Sequence, residues 1–191
     1  MKKGLLIIYS GPSAVGKDTL LKEILNDPEL NLALSVSVTT RKPRNGEKEG
    51  VDYFFISEER FKEAIDNNEL LEYASYVDHY YGTPLSYVEE NRNKGKNVVL
   101  VIEMDGAKKV LDKVKDNVIS IYIIPPSMEE LEKRMRHRNI DSEESIIKRL
   151  NKAKEEMKNN SSYDYIVVND DLKRAAEEVK QIIIKEQNKL Q

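Results

Sequence analysis

Residues 11–19 read GPSAVGKDT, and their spacing is that of a loop that holds phosphate. Gly11 and the pair Gly16-Lys17 stand as in G-x-x-x-x-G-K, with Pro12, Ser13, Ala14 and Val15 between them. Glycines let successive backbone N–H groups turn toward phosphate oxygens, a following helix N-terminus adds positive potential, and the lysine supplies a point charge. The pattern normally continues with Ser or Thr, whose hydroxyl reaches a magnesium ion. Here Asp18 stands there, with the hydroxyl of Thr19 one residue later. A carboxylate beside a triphosphate is repelled unless a cation lies between them. Magnesium prefers oxygen ligands and keeps several waters, so Asp18 is a candidate ligand, direct or through water. It reads equally as an acid at a helix N-terminus, where the dipole favours it by about 0.3–1 kcal/mol.

Two further groups of residues suit anions. In SVSVTTRKPRNGEKEGVDYFF, residues 35–55, Arg41 and Arg44 flank a turn containing Pro43 and can close on one phosphate, with Tyr53 adding a hydroxyl. Two arginines are common on any surface, so alone they read as well as a solvated hairpin. Arg134, Arg136 and Arg138 share one expected helix, and Arg149 lies on the next. Other chemistries are excluded. The chain has no cysteine, which removes disulfides, thiolate nucleophiles and zinc–cysteine sites and is compatible with the cytoplasmic location we expect. His79 and His137 have no partners for a nucleophilic triad. A net charge of −3 gives no basic field for nucleic acid or an anionic membrane.

These residues need elements to position them. LLIIY (5–9), NVVLVI (97–102), VISIYII (118–124) and YIVV (165–168) lack alternation and read as strands buried on both faces of a parallel sheet. Charged segments of helical period lie between them. In one, Ile146, Ile147, Leu150 and Ala153 form an apolar stripe with a capping box from Asp141 to Glu144; in another, Ser127 and Glu130 open SMEELEKRMRHR. Strands alternating with helices predict an α/β fold with right-handed crossovers. Residues 35–83 break that rhythm: SVSVTTR, YFFIS and LLEYASY predict a small mixed sheet with one helix, SEERFKEAIDNN, inserted after the first strand and helix. The tail, DLKRAAEEVKQIIIKEQNKL, reads as a closing amphipathic helix. A chain of 191 residues fits one domain, and the short apolar run at its start is a first strand rather than a secretory leader.

Taken in order, the loop, TTRxPR, EYASYVDHYYGTP, PPSMEELEKRMRHR and YDYIVVND match the motifs of the guanylate kinases over nearly the whole chain, and the sequence resembles that family. The resemblance implies a parallel P-loop kinase sheet flanked by helices (1–34, 84–125 and 159–191), an inserted mixed-β subdomain binding guanosine monophosphate (GMP; 35–83), and a helical lid (126–158). It implies ATP and GMP as partners and magnesium as cofactor; monomeric and homo-oligomeric forms are both compatible with it. Residues 11–19 would bind ATP. Ser37, Arg41, Arg44, Tyr53, Glu72, Tyr81, Thr83 and Glu103 would bind GMP. Lys17, Arg134, Arg138 and Arg149 would neutralise the transferring phosphoryl group, while Arg136 belongs to a solvated face. The chemistry suits guanine: Glu72 accepts from N1–H and N2–H, and Ser37 or Thr83 donates to O6. Adenine leaves groups unpaired on both sides, a penalty of about 10⁴-fold or more in comparable polar sites.

Several positions depart from the family pattern. Asp78-His79 replaces Gly-Asn, Glu103 replaces Asp at a strand end, Asp105 replaces Gln, and Asn139 replaces Gly. The extra methylene of Glu103 moves its charge outward and leaves guanine contact and water-mediated metal contact both open. Asp18 is shared with a kinase relative acting on a ribose bisphosphate, against which the guanine-side set stands. A silent guanylate-kinase-like binding module typically loses the phosphate loop, and Lys17 is present here.

Overall fold

A computed structural model of the chain describes residues 2–76, 78–137 and 142–190. The chain begins with β1 (Leu6–Ser10), α1 (Lys17–Ile24), β2 (Leu32–Leu34), β3 (Val38–Thr39) and β4 (Phe54–Phe55). It continues with α2 (Glu58–Asp66), β5 (Leu70–Tyr76), β6 (His79–Pro84), α3 (Leu85–Asn93), β7 (Asn97–Val101) and α4 (Met104–Lys113). β8 (Val118–Ile124), α5 (Met128–His137), α6 (Glu143–Lys158), β9 (Tyr165–Val168) and α7 (Leu172–Lys189) complete it.

The four apolar runs form one parallel sheet, joined at its edge by β2, in the order β2-β7-β1-β8-β9. Leu32–Leu34 lies outside the expected runs because three residues at an edge carry too little apolar pattern to be recognised. All five residues of β1 are buried, which is why its run does not alternate. Leu5, Ile7 and Tyr9 pack on one face with Leu20, Leu131, Ala153 and Val179, so the phosphate loop, α5, α6 and α7 share a core. Leu6 and Ile8 pack on the other with Val88, Leu100 and Val110 from α3, β7 and α4.

The second sheet, β4-β3-β6-β5, pairs β3 parallel to β4 and antiparallel to β6, so it is mixed as expected. Its elements differ in extent. The run 35–41 contributes only Val38–Thr39, and His79–Pro84 adds a strand that the aromatic HYYGTP segment did not announce. The buried core of this sheet is Val38, Phe61, Ala64 and Leu70. At about 1.5–3 kcal/mol for each large side chain fully buried, this satellite is held far less firmly than the main sheet.

Two helix starts were legible in the sequence. Glu130 N–H donates to Ser127 Oγ at 3.1 Å, and the Ser57 side chain caps α2. On α6 the cap is Ser142, accepting from Ser145 N–H at 3.3 Å; Asp141 lies outside the described residues. Ile146 and Ala153 are buried, but Ile147 is 50% exposed. At about 100° per residue, positions 146, 150 and 153 stay within one narrow face and 147 falls outside it.

Candidate active site

The loop after β1 is shaped by contacts a side chain would not permit. At Gly11, with φ 150°, an added Cβ would lie 2.4 Å from the Ile123 carbonyl oxygen of β8. At Gly16, with φ 94°, it would lie 2.7 Å from Asn169 Nδ2. Asn169 fastens the loop from β9 by donating to the Val15 carbonyl at 2.8 Å. Lys17 opens α1 and turns back over the loop, its ammonium donating to the carbonyls of Gly11 and, at 3.0 Å, Pro12. A lysine held there is a point charge above the loop's mouth.

Two predicted arginines reach the same loop. Arg134 on α5 donates to the Val15 carbonyl at 3.2 Å and the Asn169 carbonyl at 3.0 Å, and it pairs with Glu130. Arg149 on α6 lies 3.3 Å from Ser13 Oγ. Arg136 pairs instead with Glu132 and Glu143 on an exposed face. Arg138 and Asn139 lie outside the described residues.

Three clefts open around the loop. One of about 650 Å³ runs along Ala14, Gly16, Thr19, Arg134, His137 and Asn169. A second of about 300 Å³ is lined by Gly11, Lys17, Asp18, Arg149, Glu103 and Glu156. A third of about 560 Å³ lies under the small sheet and contains Ser37, Arg41, Arg44, Tyr53, Glu72 and Tyr81. Glu103 lines both the second and third. A channel of about 430 Å³ carrying Asp18, Ser37, Tyr53 and Thr83 runs beside them. Asp18 is exposed and lines the second cleft, whereas Thr19, one helical residue on, lines the 650 Å³ cleft. Glu103 extends from the C-terminal end of β7 and accepts from Lys152 at 2.7 Å.

In the third cleft, Glu72 is buried on β5 and accepts the Thr83 hydroxyl at 2.6 Å from β6. Burial pushes the Glu72 carboxyl above its ordinary range, while the Thr83 bond and the charges of Lys109 and Lys113 pull the other way. Gly106 of α4 backs it so closely that a Cβ there would meet Glu72 Oε2 at 3.0 Å. In the same cleft, Arg41 makes a bidentate pair with Glu47 at 2.8 and 2.9 Å, and Glu47 also accepts Arg44 N–H at 2.8 Å. The Arg41 guanidinium sits 5.4 Å from the Tyr53 ring, whose edge meets Tyr81 at 5.9 Å. The bond to Glu47 holds Arg41 more firmly protonated still and lowers Glu47.

Sequence reasoning missed Glu47, which orders the two-arginine turn. Its signal is a carboxylate three residues after Arg44, the spacing at which a turn brings it back to a backbone N–H. It also missed Asn169, although ND closes the YIVVND motif, as well as Lys152 and Glu156. Both of the latter lie on a helix whose charges all looked solvated: Lys152 is exposed but lines the second cleft, and Glu156 is half-buried beside it.

Comparison with known proteins accords with this geometry. A family model described as guanylate kinase matches residues 3–186. The guanylate kinase of Mesoplasma florum is 50% identical over 184 residues, 96% of this chain, and the chain spans 62% of that relative's length. The guanylate kinase of Caldanaerobacter subterraneus subsp. tengcongensis is 50% identical over 97% of this chain and 89% of its own length. A crystal structure of guanylate kinase from Anaplasma phagocytophilum superposes with a TM-score of 0.73 at 36% identity, covering 97% of this chain and 87% of that one.

Proposed function

Since the chain belongs to the guanylate kinase family, we propose that it transfers the γ-phosphoryl group of ATP to GMP, giving ADP and GDP. The observation that carries this is the polarity of the third cleft. It is lined by the buried carboxylate of Glu72, which accepts the Thr83 hydroxyl, and by the two-arginine turn of Arg41 and Arg44. A guanine edge with two N–H donors and an O6 acceptor fits the first, and a 5′-phosphate fits Arg41 and Arg44 with Tyr53 and Tyr81. Ser37 and Thr83 are the hydroxyls within reach of the base. The 650 Å³ cleft beside the loop is the space for the donor's adenosine, and the second, the phosphate cleft, joins the two.

In this mechanism no side chain becomes covalently attached. An oxygen of the GMP phosphate forms a bond to the γ-phosphorus as the bond to the β,γ-bridging oxygen breaks, and ADP leaves with that electron pair. Charge spreads over the oxygens in flight, and Lys17 and Arg149 stand where they can neutralise it. Arg134 holds the loop carbonyls and so orients the loop in addition to supplying charge. Arg138 completes the proposed cation set from the family pattern. Glu103, paired with Lys152, would meet GMP or the metal's water shell at the boundary of the two clefts.

The residues present fit magnesium. Asp18 and Glu103 offer carboxylate oxygens at the phosphate cleft, and among the described residues no three-ligand cage of His, Cys, Asp or Glu is assembled. Magnesium is typically held by substrate phosphates, waters and one or two carboxylates. Asp18 and Glu103 would hold it, and when bound it would supply positive charge that offsets the charge of the phosphates. Among the described residues no helix is long and apolar enough to cross a membrane. A cytoplasmic site of action, with lid (126–158) and GMP-binding insert (35–83) closing over the core, is part of the same proposal.

The test is a coupled assay of diphosphate formation with GMP, AMP, CMP, UMP and a ribose bisphosphate as acceptors. Preference for GMP by about 10⁴-fold over AMP is expected from the unpaired groups that adenine would leave. Preference for the ribose bisphosphate, which Asp18 alone would suggest, or turnover of none of the acceptors, would overturn the proposal.

A further inference from the structure

Arg149, Lys152 and Glu156 follow at three- and four-residue spacing on α6, so one helix face presents two cations and an acid to the phosphate cleft. The Lys152 ammonium lies 2.7 Å from Glu103 and 3.7 Å from Glu156. Among the described residues, Glu103 is the one charged side chain that the phosphate cleft and the acceptor cleft have in common. Its bond therefore holds the Lys152 charge at the boundary between the space for the donor phosphates and the space for GMP.

From this placement we propose that Lys152 is a further catalytic cation, touching the phosphoryl oxygens as they pass from donor to acceptor. The inference deepens the kinase proposal above and rests on it. Two anionic phosphates brought together need positive charge at the seam between them, and Lys17 and Arg149 stand on the donor side of it. The Glu103–Lys152 pair is open to water, with side chains 75% and 58% exposed, and such a pair is weak enough for phosphate oxygens to displace the carboxylate. Glu156 is only 17% exposed and stays fixed on the same helix, so it keeps the ammonium over the cleft when Glu103 lets go. Glu103, at the start of α4 just beyond β7, thus spans from the sheet to Lys152 on α6.

The test compares wild type with Lys152→Met and Lys152→Arg in the coupled assay. It also measures affinity for GMP alone and for a bisubstrate analogue joining adenosine and guanosine through five phosphates. Lys152→Met is expected to lower kcat by about 10²-fold and to weaken the joined analogue comparably. GMP affinity and KM should stay within about threefold, the thermal midpoint should be unchanged, and Lys152→Arg should recover most of the rate. An active wild type with Lys152→Met equally active overturns this inference and leaves the kinase proposal standing. So does a rate loss shared by Met and Arg variants with analogue affinity intact, which marks a structural strap. A wild type that forms no GDP overturns the kinase proposal itself.

Discussion

At the scale of single residues, the site depends on groups held in states they would not adopt in water. Burial holds the Glu72 carboxyl above the usual 4.5, with Thr83, Lys109 and Lys113 opposing the shift. Guanine's two donors need the carboxylate, so acceptor affinity should be full above the raised value and fall as pH drops through it, beginning above pH 4.5. Glu72→Gln should flatten that profile and weaken GMP by about 1–3 kcal/mol, because an amide accepts one donor but turns its own N–H toward another. Titration calorimetry across pH checks both; an unchanged affinity places the base elsewhere. The shift has a second consequence. A carboxyl whose pKa rises on folding costs stability above the folded value and nothing below the unfolded one, so the Gln variant should be at least as stable as the parent at neutral pH. Asp18 lines the phosphate cleft and is exposed. Asp18→Ala should raise the magnesium concentration for half-maximal rate while leaving the apparent affinity for GMP alone, and Asp18→Ser should restore much of it. Superimposable magnesium titrations would leave Asp18 as a helix-end acid.

At the scale of elements, the phosphate loop is legible in the sequence because its demands are local. The glycines and the lysine stand within nine positions, from Gly11 to Thr19, directly after the strand Leu6–Ser10. The structure adds why the first glycine cannot change. Gly11→Ala would drive a Cβ to 2.4 Å from the backbone carbonyl of Ile123, and β8 is too firmly paired to retreat. The cost should be about 1–3 kcal/mol in thermal unfolding, with loss of donor binding. A variant of wild-type stability and donor affinity would contradict that account. The four buried strands were legible for the same local reason, since unalternated apolar runs have few other solutions. β2 and the extent of β3, β4 and β6 were not, because strands of two or three residues are defined by pairing partners distant in sequence. Glu72 shows the same limit at the site. Its burial and its bond to Thr83 arise from β5–β6 pairing, and only the family resemblance singled it out in advance.

At the scale of the whole molecule, a rigid parallel sheet carries the loop, and two lighter assemblies flank it. The small sheet rests on its own core of Val38, Phe61, Ala64 and Leu70, while α5 and α6 pack into the core they share with the loop and also reach it through Arg134 and Arg149. Under the proposed function, acceptor and donor phosphates would bind to different parts of the molecule, so direct transfer would require them to approach and exclude water. The radius of gyration from small-angle scattering should fall when the bisubstrate analogue is added, and an identical value would count against closure. The most direct measurement of the central claim follows the phosphoryl group itself. With ATP carrying oxygen-18 on the non-bridging oxygens of its γ-phosphoryl group and GMP as acceptor, phosphorus NMR should show the isotope-shifted signal appearing at the β-phosphate of GDP, in step with ADP. Label released as inorganic phosphate, or retained in ATP while GMP stays unchanged, would contradict the account.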